Sequence, residues 1–373
     1  MRVEQQVFRG VPTSVDLGFL AGGWAQLILV FASPGWLQAL QAPLAQAAPA
    51  AVRMGCCTAG EISSRGVSDD TAVVTAVSFD RVQVRAAVTR LAGMADAQAA
   101  GERLAQGLPA DGLRAVLLLS QGVGINGSAL LQGMKGVLGG VPIAGGLAGD
   151  VSFQATWVLT PEGLSQDQLV AVGLYGDALQ FDFGCYGGWT PFGPARKVTR
   201  SEHNVLYELD GEPALEIYKR YLGSHAQGLP GSGLLFPFAM LGEDDQEVGL
   251  VRTILGVNEA EGSVTLAGDI DPDGYLRLMH ASTDALVDGA GTAAQQSATP
   301  RSGPGLALLV SCVGRKLVMG DRVDEEVEAV ADVFGPGVTL TGFYSNGEVS
   351  PAGTLLDCKL HNQTMTIARL HEA

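Results

Sequence analysis

Three segments of the chain have the same order of apolar and polar positions. Each begins with an apolar run that ends in serine, and these runs are 27–33, 116–120 and 306–311. A glycine follows within a few residues, then a stretch compatible with a helix, then a second apolar strand. This order predicts a β-α-β unit, and strands that are apolar on both faces are typical of a sheet covered by helices.

The second strand of each unit ends in a shared signature, in which a glycine directly precedes an acid and an aliphatic residue. The copies are 58–62, 147–151 and 345–349. A fourth copy, 266–270, lacks the preceding strand and helix, and we interpret it as a coincidence.

The acids of the three signatures are candidate ligand-binding residues. Ligands of α/β sheets bind beyond the carboxyl ends of strands, and glycine there permits close backbone approach. If the units pack face to face, Glu61, Asp150 and Glu348 converge on one cleft, where they could hold an amine, a hydroxyl or a cation. The alternative is that each glycine–acid pair makes a turn and caps backbone amides.

The remaining pattern indicates two tandem, related α/β halves, with mixed sheets flanked by helices and internal β-α-β-like repeats. We place the domain boundary near residue 200, which gives domains 1–200 and 201–373. Strands are predicted at 72–78, 169–175, 180–186, 249–257 and 262–267, helices at 82–106 and 212–221, and a flexible loop at 293–304.

Charge and hydropathy exclude several classes of protein. The formal net charge is −16 and no basic run occurs, so nucleic acids and anionic membranes are poor candidate partners. The N-terminus is polar rather than signal-like, and the apolar stretches are shorter than the ~20 residues that a membrane helix needs. We therefore expect a cytoplasmic protein without a membrane segment. Glycine occurs 51 times, in part at strand ends.

Several short motifs have ordinary alternatives. Gly122, Gly124 and Gly127 match G-x-G-x-x-G after a strand, but the acid that a dinucleotide site needs has no clean equivalent. Residues 269–274 look like the start of a calcium loop, and a tight turn is the better interpretation. Arg315 follows a strand, where it could clamp an anion or pair with one of the abundant acids.

The five cysteines form no C-x-x-C motif, so a zinc site is not expected and reduced thiols are. A thiol-dependent enzyme using Cys56, Cys57 or Cys312 remains an alternative, although no histidine is near them in sequence. No H-E-x-x-H or G-x-S-x-G motif occurs. Cys358 and His361 are close enough in sequence to offer a metal or haem ligand.

Longer segments resemble the FIST N and FIST C domains over nearly the whole chain. The matching stretches are 54–62 and 143–150 for FIST N, and 206–216, 311–315, 342–348 and 361–367 for FIST C.

This resemblance implies a non-enzymatic sensory protein that binds a small ligand, with amino acids among the suggested ligands. Some relatives resemble haem-binding nitric oxide sensors that regulate a histidine kinase, for which His361 or Cys358 would be the axial ligand. We expect the ligand in a cleft between the halves, signalling through a partner protein and a possible homodimer. The expected ligand-binding residues are Cys56, Glu61, Gly149, Asp150, Cys312, Arg315, Tyr344 and Glu348.

Overall fold

A computed structural model describes residues 1–11, 15–150, 154–242, 247–298, 304–352 and 357–373. Val151, the last residue of the second signature, lies outside this part of the chain. The described residues form three related units and one inserted lobe.

Unit 1 contains a buried parallel strand pair connected by a helix, followed by a short hairpin and a return strand. Its elements are β1 (Arg2–Phe8), β2 (Leu27–Ala32), α1 (Pro34–Ala47), β3 (Val52–Cys57), β4 (Glu61–Ser63), β5 (Gly66–Ser68) and β6 (Ala72–Ser78).

Unit 2 repeats this order and adds a helix before the parallel pair. Its elements are β7 (Gln83–Arg90), α2 (Ala97–Gln106), β8 (Leu113–Ser120), α3 (Gly127–Leu138), β9 (Ile143–Leu147), β10 (Val158–Thr160), β11 (Gly163–Ser165) and β12 (Gln168–Tyr175).

Unit 3 begins with β13 (Leu179–Tyr186), after which the inserted lobe, residues 187–282, interrupts it. The lobe contains β14 (Thr190–Pro191), β15 (Arg196–Glu202), β16 (Val205–Leu209), β17 (Glu212–Pro213), α4 (Ala214–Leu222), β18 (Phe238–Leu241), β19 (Glu247–Arg252), β20 (Ile254–Asn258), β21 (Ser263–Leu266) and β22 (Tyr275–His280).

Unit 3 then resumes in the same order as unit 2. Its elements are α5 (Thr283–Ser297), β23 (Gly305–Cys312), α6 (Val313–Met319), α7 (Asp324–Phe334), β24 (Val338–Ser345), β25 (Gly347–Ala352), β26 (Asp357–His361) and β27 (Met365–Glu372).

The three units exchange hairpins in a cycle. The first sheet has the order β1-β6-β2-β3-β10-β11, the second β7-β12-β8-β9-β25-β26, and the third β13-β27-β23-β24-β4-β5. Each sheet therefore ends in the hairpin of another unit. We call these three sheets and their helices the core; the mixed α/β architecture and the related β-α-β units are thus confirmed.

The inserted lobe has a sheet of its own, in the order β19-β18-β22-β15-β16-β21-β20. Its two edge strands, β19 and β20, are separated along the chain only by Thr253. The sheet therefore curls until its edges meet, and α4 packs its buried face, which includes Leu215 and Tyr218, into the lobe's own apolar cluster.

Three predicted elements are wrong. Residues 82–106 are not one helix, because the alternating Val84, Ala86 and Val88 face the core as strand β7, which pairs with β12 along its length. The predicted loop 293–304 begins inside α5, because small residues such as Ala293 let this helix pack closely on β13. Residues 299–303 lie outside the described part.

The predicted strand 249–257 is also wrong as a single element, since it is divided at Thr253 into β19 and β20. The predicted helix 212–221 is confirmed as α4, which begins directly after Pro213, and the strands at 72–78, 169–175, 180–186 and 262–267 are confirmed as β6, β12, β13 and β21.

Candidate functional site

The signatures of the three units meet at one place in the core. Ala59 N–H donates to the carbonyl oxygen of Tyr344 over 2.9 Å, and Gly149 N–H donates to that of Cys57 over 2.9 Å. A Cβ atom on Gly149 would lie 2.0 Å from Tyr344 O and 2.6 Å from Ala59 N. Glycine is therefore required there by close backbone approach.

The Glu61 side chain hydrogen-bonds to residues of its own unit and does not point toward a cleft. One carboxylate oxygen accepts a hydrogen bond from the Thr58 hydroxyl, and the other accepts from the Thr71 amide (3.0 Å) and hydroxyl (2.7 Å). Burial raises the pKa of Glu61, and these hydrogen bonds partly oppose that effect. Its contacts are those of a buried cap on two backbone turns.

Glu348 repeats this arrangement in unit 3. Its carboxylate accepts from the Ser345 hydroxyl (2.8 Å) and from the amide (3.1 Å) and hydroxyl (2.9 Å) of Thr364. Burial raises the pKa of Glu348 to about 7, against the hydrogen bonds and the nearby Arg315 charge. The structure thus brings the three signatures together. The carboxylates of Glu61 and Glu348, however, accept hydrogen bonds from neighbouring turns within their own units.

Asp150 is the more exposed of the three acids. Its carboxylate accepts from the Gln154 amide over 3.1 Å, and its own amide donates to the Asn346 side chain over 3.3 Å. Asn346 also donates to the carbonyl oxygen of Gly122 over 3.3 Å. Asn346 therefore connects the signatures of units 2 and 3 to the glycine-rich loop after β8.

Arg315 forms a buried ion pair, which is one of the two alternatives that the sequence left open. Its guanidinium bonds Glu326 over 2.7 and 3.1 Å and also donates to the carbonyl oxygens of Gly187 and Leu286. Glu326 in turn accepts from Tyr344. Arg315 and Tyr344 thus stabilise unit 3 from within.

Four of the thiols are buried and that of Cys185 is half-buried, and burial raises the pKa of each one. The pKa of Cys57 rises to about 12, and the sulfur accepts the Trp157 amide over 3.0 Å. A thiolate nucleophile needs the opposite shift, so Cys56 and Cys312 have the environment of structural thiols.

His361 and Cys358 do not fit a haem. The Nε2–H of His361 donates to Ser350 O over 3.2 Å, and Nδ1 lies 3.5 Å from the Cys185 sulfur, so both ring nitrogens are engaged. Burial lowers the pKa of His361 to about 4. The Cys358 sulfur accepts the Ile143 amide over 3.1 Å. Neither side chain lines the ligand-sized cavity described below.

A cavity of about 450 Å³ lies instead between the core and the inserted lobe. On the core side it is lined by the loop 122–127, Leu147, Asn346 and Leu360, with Met94 at the mouth. This volume falls within the range typical of small-molecule pockets.

The lobe supplies the other walls of the cavity. They consist of Asn204, the turn at 230–234, the start of β20 at 254–255, and residues 266–269. The last segment, 266–269, belongs to the fourth copy of the signature. The interpretation of this copy as a coincidence does not explain why it lines the cavity.

The glycine-rich loop has a structural reason for its composition. A Cβ atom on Gly122 would lie 1.9 Å from Ala148 O, and Gly124 has a φ of +71°, which favours glycine. Asn126 then caps α3 by accepting the Ala129 amide over 3.0 Å. The loop therefore lines the cavity with its backbone and with the first residues of α3.

None of the eight predicted ligand-binding residues is among the lining residues of this cavity. Its side chains with polar groups are Asn126, Asn204, Asn346 and Asp269. Two of the wall segments stand out in the sequence, one as the G-x-G-x-x-G motif and the other as the fourth signature. Nothing in the sequence indicates that these two segments lie next to each other in the fold.

The fold and the cavity together define a mixed α/β protein with a ligand-sized pocket between a three-unit core and a lobe inserted into it. The chain belongs to the FIST family: the FIST N domain model matches residues 26–212 and the FIST C domain model matches residues 214–351. FIST domains are associated with sensory binding of small ligands in signalling. The resemblance identified from the sequence is thereby confirmed.

Individual proteins match more weakly. The uncharacterised protein MJ1623 of Methanocaldococcus jannaschii is 39% identical over 83 residues, which cover 22% of this chain and 15% of that protein. Among solved structures, a cyanuric acid hydrolase from A. caulinodans aligns with a TM-score of 0.37 and 9% identity, covering 99% of this chain and 98% of that one. A chorismatase aligns with a TM-score of 0.34 and 10% identity, covering 100% and 98%.

The described residues contain neither a candidate membrane helix nor a metal-binding cluster of side chains. No helix there is long and apolar enough to cross a membrane. No group of three or more histidine, cysteine and acidic side chains in the same ranges could hold a metal ion.

Proposed function

We propose that this protein is a sensory module that binds a small, mainly apolar ligand in the cavity between the core and the inserted lobe. The observation that supports this proposal is the cavity itself, whose walls come from distant parts of the chain. Apolar side chains such as Leu147, Ile254 and Leu266 form much of the lining, and a few amides and one carboxylate supply polar contacts.

The position of the cavity also suits a sensor. A ligand held between the core and the lobe contacts both, so it favours the arrangement of the two that it binds best. We propose that both domains line the cavity: domain 1–200 contributes the loop 122–127, and domain 201–373 contributes the segment 254–269 together with Asn346 and Leu360 on the core side.

The output of the sensor is proposed from the family resemblance. We propose that it acts in the cytoplasm, as a monomer or homodimer, by binding a partner protein, of which a histidine kinase is one candidate. A binding role rather than a catalytic one agrees with the raised pKa of the thiols Cys56, Cys57 and Cys312.

The test uses a variant that blocks the mouth of the cavity without touching the core. Leu255 lines the mouth and is 49% exposed, so Leu255→Trp should fill the entrance and leave folding intact. Leu317, which is 52% exposed and lies outside the lining, provides the matched control Leu317→Trp.

The measurement is thermal unfolding with 2-phenylethanol, 2-phenylethylammonium or L-phenylalanine as probes. A probe that binds the folded state raises Tm. We expect at least one of them to do so with the unmodified protein and Leu317→Trp, but not with Leu255→Trp. Absence of any shift, or a shift that Leu255→Trp leaves unchanged, would contradict the proposal.

A further inference from the structure

The cavity carries a single ionisable side chain among its described lining residues, Asp269. Asp269 belongs to the fourth signature and is half-buried in the lobe wall. The neighbouring wall residues Leu266 and Ala267 are apolar, and so are Ile254 and Leu255. The charge in this pocket is therefore negative and localised at one point.

The Asp269 carboxylate has no ion pair among the described residues. Its hydrogen bond comes from the Asn126 side chain over 3.4 Å, which is long for such a bond. A carboxylate that is partly removed from water and accepts one weak hydrogen bond keeps unfilled acceptor positions, and a cationic donor would fill them most favourably.

Arg252 lies behind this wall, close enough for its charge to interact with Asp269, but its hydrogen bond goes to the Asp269 backbone and not to the carboxylate. Its guanidinium donates to the carbonyl oxygens of Asp269 (3.3 Å), Leu360 (3.1 Å) and Val251 (3.3 Å). A Cβ atom on Gly268 would lie 2.9 Å from Nε of Arg252, so the guanidinium packs against the back of Gly268. Arg252 thus fixes the backbone that carries Asp269 and leaves its carboxylate available.

The N-terminus of α3 lies next to the Asp269 carboxylate, and this affects which charge a ligand can carry there. A helix N-terminus ordinarily favours an anion, and a G-x-G-x-x-G loop in that position would favour a phosphate. Here Asp269 already places a carboxylate beside the capping residue Asn126. A phosphate bound at the same end of α3 would be repelled by this negative charge, whereas an ammonium group would be attracted to it.

We propose that the ligand carries a protonated amine that binds the Asp269 carboxylate, while its apolar body packs against Ile254, Leu266 and Leu360. This inference rests on the proposed function and narrows it to a class of ligand. Two sources share this chemistry: an amino acid, and an amine that lacks a carboxylate.

The experiment compares three probes of similar shape: 2-phenylethylammonium, 2-phenylethanol and L-phenylalanine. Affinities are measured by calorimetry on the unmodified protein, on Asp269→Asn and on Asp271→Asn. Asp271 is exposed, lies two residues away and is outside the lining, so its replacement is the matched control.

We expect the unmodified protein and Asp271→Asn to bind the ammonium probe about tenfold more tightly than the alcohol. Asp269→Asn should remove this preference and leave the affinity for the alcohol unchanged. L-phenylalanine distinguishes the two sources: tighter binding than the plain amine identifies an amino acid, and weaker binding identifies an amine without a carboxylate.

Two outcomes would overturn the inference while leaving the proposed function intact. One is equal affinity of the unmodified protein for the amine and the alcohol, and the other is a preference for the amine that survives in Asp269→Asn. If no probe binds at all, the proposed function itself fails, and the inference fails with it.

Discussion

Units 2 and 3 have the same order of strands and helices, but they differ in the segment that follows the first strand of the parallel pair. In unit 3, α6 begins at Val313, directly after β23. A Cβ atom on Gly314 would lie 2.4 Å from the side chain of Gln363, which covers this position. In unit 2, six residues, 121–126, separate β8 from α3, and the loop opens on the cavity.

The side chains that follow this strand differ between the two units in the same way. Arg315 in unit 3 is fully buried with Glu326, whereas Asn126 in unit 2 caps its helix at the cavity wall and contacts Asp269 of the lobe. The repeated signature therefore builds the centre of the fold, and the proposed ligand site lies where unit 2 departs from the repeat.

The largest expected effect is in unit 3. Arg315→Met should leave Glu326 as an unpaired buried charge and lower the free energy of unfolding by about 3–5 kcal/mol. The double variant Arg315→Met/Glu326→Leu should recover most of this loss, because no charge remains buried. Urea unfolding measures both, and a single variant as stable as the parent would show that the pair does not hold unit 3.

A second prediction concerns Glu348, whose pKa is raised to about 7 in the folded protein from an ordinary value of 4.5. A raised carboxyl pKa stabilises the folded state below pH 4.5, and this stabilisation is lost as pH rises through 7. Glu348→Gln imitates the protonated form, so its stability relative to the parent should increase by about 3 kcal/mol between pH 5 and pH 8.

The measurement is urea unfolding of both proteins at several pH values, with Glu61→Gln as the counterpart in unit 1. Since burial raises the pKa of Glu61 as well, its variant should show a change of the same sign. A stability difference for Glu348→Gln that does not vary with pH would contradict the assignment of this titration to Glu348.

The smallest expected effect distinguishes capping from ligand binding. Asn126→Ala removes the cap of α3 and should cost about 1 kcal/mol of stability. Ser282→Ala removes the comparable cap of α5, where the hydroxyl accepts the Ala285 amide over 3.2 Å, at a similar cost.

Only Asn126→Ala should weaken binding of 2-phenylethylammonium, because Ser282 lies outside the cavity lining. Unfolding curves and calorimetry on the same two variants provide both readouts. Equal weakening of ligand binding by the two variants would show that helix stability, and not contact with the ligand, determines affinity.

Much of the core is predictable from local sequence. The three apolar strands, the signatures and the glycine at position 149 reflect the period of strands and the close approach of backbones. The exchange of hairpins is not predictable in this way, because pairs such as Glu61 with Phe343 join distant parts of the chain and leave no local pattern.

The site was harder to predict for the same reason. The loop 122–127 and the segment 266–270 each stand out in the sequence, but Asn126 and Asp269 are 143 positions apart and meet only through the packing of the lobe on the core. The sequence predicts Glu61 and Glu348 as ligand-binding residues, since their burial and their hydrogen bonds to Thr71 and Thr364 leave no trace in a linear pattern.

The most direct test of the proposed ligand site uses two methionines, one in the cavity lining and one at the corresponding, closed position of unit 3. Met94 lines the cavity mouth, and Met319 is buried at the end of α6 in unit 3. In spectra of the protein with carbon-13 methionine methyl groups, each assigned by replacement with leucine, addition of 2-phenylethylammonium should shift the Met94 signal saturably and leave that of Met319 in place. An unmoved Met94 signal, or an equal response from Met319, would contradict a ligand site in the cavity between the core and the inserted lobe.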